Sequence, residues 1–154
     1  MLNKIREPVS AITHFIGMIL AIIGLIILLI ESTNPPKPWH ILAFSIFGVS
    51  MFLTYAASTL YHWLNVPPAK IELLKKLDQA MIYLLIAATY TPICLIPLRG
   101  SWGWSLLGII WGLAIFGILM RLFWANFPEW FSVVSYLFMG WVIVIASWPV
   151  IEAL

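Results

Sequence analysis

Ser58 and His62, in the stretch Ser-Thr-Leu-Tyr-His, are the residues of this chain whose types and spacing best suit chemistry. On a helix, a separation of four places both side chains on one face, a turn apart. Ser50 and Thr54 extend the row backwards at the same interval, through neighbours that are otherwise Phe, Ile, Val, Met, Leu and Tyr. Such a polar stripe faces protein rather than lipid. Asp78 follows just before the next apolar block. A histidine near a carboxylate and a hydroxyl can move protons, or hold a metal through its neutral imidazole. Ser, His and Asp are also the members of a nucleophile triad. Two neighbours one turn apart on a single helix do not present a serine to its histidine and to a substrate together, which disfavours that use.

The elements that must carry these residues are set by composition. Of the 154 residues, 63% are hydrophobic and 9% charged, and mean hydropathy is +1.04. Soluble domains hold about 25% charged residues, so the chain reads as an all-α, polytopic transmembrane helical bundle. Five blocks, near 9–30, 40–64, 79–98, 104–120 and 131–151, are long and apolar enough to span a hydrocarbon core, which takes about 20 residues. The first is too long, and lacks the small-residue cleavage pattern, for a signal peptide. The four connections are short and each bears proline or glycine: Glu31 to Trp39, Asn65 to Leu77, Arg99-Gly100-Ser101, and Arg121 to Trp130. They leave a single transmembrane domain over residues 1–154.

Basic residues in short loops stay in the cytoplasm. With a cytoplasmic N-terminus in the inner membrane, Lys4, Arg6, Lys70, Lys75, Lys76 and Arg121 lie inside, and only Lys37 and Arg99 lie outside. Tryptophans near the block ends, such as Trp39, Trp63, Trp102, Trp104, Trp124, Trp130 and Trp148, fit interfacial belts. The formal net charge of +2 and the scattered basic residues exclude a nucleic-acid footprint. The lone Cys94 sits in an apolar block and is expected to be a buried structural thiol.

This topology brings Ser58 and His62 to the cytoplasmic end of the second span and Asp78 to the start of the third. The first span contributes Glu7, Ser10, His14 and Gly17 on one stripe at the same depth. His40 falls at the opposite end. Ionisable groups at membrane depth are functional by default, at a cost of about 2.5–3.5 kcal/mol each near mid-bilayer. A plain structural alternative has Asp78 capping the third helix and His62 bonded to that carboxylate. For a catalytic zinc, which takes three protein ligands and a water, the residues offer His62, with His14 as a candidate second ligand and Asp78 as a ligand or base. No His-x-x-x-His or His-Glu-x-x-His pair occurs. Elsewhere, Gly108-x-x-x-Gly112 and Gly117 read as helix packing within the monomer, and Pro92 as a kink in the third span.

Glu7-Pro8 with Thr13-His14-x-x-Gly17, Ser58-Thr-Leu-Tyr-His62, Leu77-Asp78 followed by Ala-Thr-Tyr-Thr-Pro92, and Met139-Gly140-Trp141 resemble the bacterial hemolysin III family across the whole chain. That family is related to the progestin and adipoQ receptors and, distantly, to the alkaline ceramidases. The resemblance implies a seven-helix fold with a cytoplasm-side zinc site. In that site His62 is a ligand, Ser58 and Asp78 lie around the metal-bound water, and a His-x-x-x-His pair on the seventh helix completes the coordination. It also implies that this chain is C-terminally truncated, since it ends at Leu154 after the fifth span. Gln79 is a further departure, because many relatives have histidine there. The functions implied are a zinc-dependent hydrolase acting on an amide of a membrane lipid, with no activity expected of this chain alone, or else a pore-forming cytolysin or a non-catalytic membrane sensor. Membrane lipids are the implied partners, with a homo-oligomer or another chain supplying the missing helices.

Overall fold

The structure is a computed structural model that describes residues 5–124 and 127–153. Lys4, one of the basic residues used to orient the chain, lies outside the described residues. The described residues form helices α1 (Pro8–Thr33), α2 (Pro38–Trp63), α3 (Pro68–Leu95), α4 (Ser101–Phe123) and α5 (Glu129–Trp141). A short 3-10 turn (Val142–Ala146) and α6 (Ser147–Ala153) follow. Five segments are long and apolar enough to cross a membrane, the fifth running through α5 and the 3-10 turn.

Proline opens three of the helices. Pro8, Pro38 and Pro68 occupy first-turn positions, where the missing N–H would be unpaired anyway and the fixed φ already suits a helix. The third helix thereby departs from expectation. It starts at Pro68 with Pro67 as its cap residue, eleven residues before the expected 79, because the Leu- and Lys-rich stretch after Pro68 favours helix although it is too charged for hydrocarbon. Asp78 therefore sits well inside α3, and the reading of it as an N-terminal cap is overturned.

The fifth span also differs: it does not run as one helix over 131–151. The α5 helix gives way to the 3-10 turn where the Tyr90 hydroxyl donates to the Met139 carbonyl (2.6 Å) and accepts the Ile143 N–H (3.0 Å). One phenol thus occupies backbone groups that a continuous helix would pair internally.

Helix α1 packs on α2, α2 on α3 and α3 on α4, while α5 lies against α3 and α4. The core is on the α3–α4–α5 side, where Tyr83, Ala87, Tyr90, Cys94, Ile110 and Met139 interlock. Cys94 is buried, as expected. Pro92 lies inside α3; just before it the Thr91 hydroxyl donates to Ala87 O (3.1 Å) and accepts from Trp111 Nε1 (3.2 Å).

The glycines divide in two. A Cβ on Gly117 would meet the Tyr83 ring at 2.4 Å, and one on Gly103 would meet Cys94 O at 2.3 Å. Gly108 and Gly112 have open space around them and are exposed. Their spacing is not used for packing within the monomer, contrary to the sequence reading, because α4 turns its other face to α3.

Candidate functional site

The polar stripe of α2 faces α3. Thr54 Oγ1 bridges Ser50 O (2.8 Å) on its own helix and Met81 O (3.2 Å) on α3. The two helices are antiparallel, so one turn on from Thr54 the buried Ser58 comes level with the residues just before Met81, Asp78 among them. No hydrogen bond joins Asp78 to Ser58 or His62 among the described residues. The expected convergence is one of depth rather than of contact.

On the α1 side the contacts are direct. His62 Nδ1 lies 2.7 Å from Glu7 Oε2, and the Glu7 backbone N–H donates to the His62 carbonyl at 3.0 Å. Arg6 secures the same segment: its Nη2 donates to Tyr61 O (2.6 Å) and pairs with Glu7 Oε1 (3.1 Å). Its guanidinium also stacks 4.1 Å above the Tyr61 ring. A cation there also suits the carbonyl end of α2. Glu7 was legible as part of the α1 stripe; that it, and not Asp78, holds His62 was not.

A carboxylate can only accept, so the Glu7 contact places the proton of a neutral His62 on Nδ1 and leaves the Nε2 lone pair free. His14 repeats the arrangement, with Nδ1 at 2.7 Å from the Ser10 carbonyl. Residues on α1 and α2 lean toward the N-termini of antiparallel helices, which draws His14 and His62 together. Their rings stack with centroids 5.3 Å apart and planes 7° from parallel. Lone pairs in two stacked planes do not meet at one point, so this geometry does not let both imidazoles ligate one ion. Among the described residues, no three His, Cys, Asp or Glu side chains converge to hold a metal. His40 is at the far end of α2, about 33 Å away at 1.5 Å per residue.

The haemolysin-III related family model matches residues 2–154. The chain belongs to the hemolysin III family. It is 47% identical over 149 residues to Hemolysin-3 of Bacillus cereus, covering 97% of this chain and 68% of that protein. To the Hemolysin-3 homolog of Bacillus subtilis (strain 168) it is 43% identical over 149 residues, covering 97% and 70%. No solved structure matches it significantly. Family membership and five apolar helices make it a multi-pass membrane protein.

Proposed function

We propose that this hemolysin III family protein carries a hydrolase-like site for a membrane lipid at the His62 end of the bundle, facing the cytoplasm across the inner membrane. The supporting observation is the Glu7–His62 hydrogen bond, with Ser58 and Asp78 at the same depth. Glu7 fixes the imidazole tautomer and orientation, as the partners of ligating or basic histidines do. His62 Nε2 is then the free base or ligand atom, Asp78 the acid–base carboxylate, and Ser58 the hydroxyl that orients a water or a substrate carbonyl.

The described residues do not by themselves fit a zinc ion, because they supply one oriented imidazole where a catalytic site takes three protein ligands. A zinc site built on His62 takes its further donors from outside the described residues, on another segment or another chain.

Metal analysis of the purified protein beside His62→Ala tests this. About one zinc per chain, lost in the variant, supports His62 as a ligand; zinc in neither preparation, or in both alike, sinks the zinc-dependent reading. Hydrolysis of an amide-linked lipid, abolished by Asp78→Asn, tests the chemistry.

The name of the Bacillus relatives suggests membrane lysis as a second reading. The open Gly108–Gly112 face favours it, since small-residue faces let helices of separate chains approach closely. Dye release from liposomes no faster than with an unrelated five-span protein would remove it.

A further inference from the structure

At the end of the bundle opposite His62, the start of α2 and the end of α3 enclose a cavity of about 250 Å³. Lys37, Trp39 and His40 line it at the α2 start, Leu95 and Ile96 at the α3 end, and Arg99 from the turn that follows. The two helices are antiparallel and their connection lies at the His62 end, so the first residues of α2 come level with the last residues of α3. Trp39 ties this corner together. The Arg99 guanidinium lies 5.1 Å from the centre of its ring, and the ring packs edge-on against Trp104 of α4, with centroids 6.1 Å apart. The indole thus holds the Arg99 charge against the cavity.

Lys37 and Arg99 are the basic residues at this end, and neither is in an ion pair among the described residues. No carboxylate lines the cavity. The acidic residues at the same end are Glu31, at the close of α1, and Glu152, in α6; both are exposed. Glu152 lines a neighbouring cavity, which also reaches Arg99, but the two do not pair. The first turn of α2 adds to the same field, since it has no side-chain cap and no acidic residue to meet the positive end of its dipole. A cleft lined by one sign of charge concentrates ions of the other.

We propose that this cavity binds a phosphate group, carried by a lipid headgroup or free in solution, between Lys37 and Arg99. The lining selects net negative charge, because it offers two cations and an imidazole N–H and no anionic acceptor. The level selects phosphate: the paired indoles of Trp39 and Trp104 suit the headgroup layer, where phosphates are the anions presented. Lys37 meets the group as a point charge and Arg99 through its planar fork. The site is independent of the His62 reading, at the other end of the same helix.

The test titrates the detergent-purified protein calorimetrically with inorganic phosphate, dihexanoyl phosphatidic acid, or dihexanoyl phosphatidylcholine, which has the same acyl chains but no net charge. One phosphatidic acid per chain is expected, bound more tightly than phosphatidylcholine. Lys37→Gln and Arg99→Gln are each expected to weaken it about fivefold, as one interfacial basic contact implies. Both residues are exposed, so the variants keep the packed core. Lys70→Gln removes an exposed charge at the opposite end and is expected to leave binding unchanged. Phosphatidic acid bound more tightly than inorganic phosphate supports a lipid headgroup as the source; equal or weaker binding supports free phosphate. Binding of neither, phosphatidylcholine held as tightly as phosphatidic acid, or losses in Lys37→Gln and Arg99→Gln no larger than in Lys70→Gln overturns the proposal.

Discussion

Glu7 and His62, 55 residues apart in sequence, hold each other twice: through the carboxylate and Nδ1 at 2.7 Å, and through the Glu7 N–H and the His62 carbonyl at 3.0 Å. The backbone bond fixes where the chain enters α1. The side-chain bond then decides which nitrogen of His62 is free.

Glu7→Gln separates these roles. The backbone bond survives and Glu7 is half exposed, so the stability loss is expected to stay below about 1 kcal/mol. A glutamine amide can accept or donate, and the preference for the Nδ1–H tautomer is expected to weaken. Nitrogen NMR of the labelled imidazole reads this directly; an unchanged tautomer signal would show that Glu7 does not set it.

Substituting the glycines of α4 by alanine is expected to give two classes. Gly103→Ala and Gly117→Ala force a Cβ against backbone carbonyls or a buried ring and should lower stability by about 1–3 kcal/mol. Gly108→Ala and Gly112→Ala meet open space and, with better helix propensity, should be neutral or stabilising by up to about 1 kcal/mol. Unfolding midpoints in mild detergent check this. Destabilisation at Gly108 or Gly112 that depends on protein concentration would mean that this face packs against a second copy.

Tyr90→Phe keeps the ring in the core and deletes one hydroxyl. The Met139 carbonyl and the Ile143 N–H both lose a partner, at an expected cost of about 1–3 kcal/mol. Hydrogen exchange should rise first at Ile143. Uniform exchange across α5 with no local rise would show that the 3-10 turn does not depend on the phenol.

Cys94 is 1% exposed. A membrane-permeant maleimide is expected to label it slowly in the folded protein and fully in denaturing detergent. Rapid labelling of the native protein would contradict the packing of α3 against α4.

The five spans were legible because apolar length is a property of local sequence. The start of α3 was not: Lys70, Lys75, Lys76 and Asp78 mark the limit of the hydrocarbon, whereas the helix is set by Pro68 and the good helix formers after it. Ser58, His62, Glu7 and His14 were readable as a group by depth. Their pairing was not, since nothing in a row of residues says that Glu7 reaches His62 before Asp78 does. The burial of Arg121 gave no signal either, because an arginine near a span end reads as a topology marker. Only the register of Tyr83 with Gly117 reveals that it is buried.

Gly103 lies directly beneath the carbonyls of Cys94 and Leu98, so the start of α4 is seated on the end of α3 with no slack between them. The two helices are thereby held as one antiparallel hairpin. Within the hairpin each helix covers polar groups of its partner, as an apolar surrounding requires. Thr91 and Trp111, which bond across the hairpin at 3.2 Å, satisfy each other inside two apolar segments where water is not available to either.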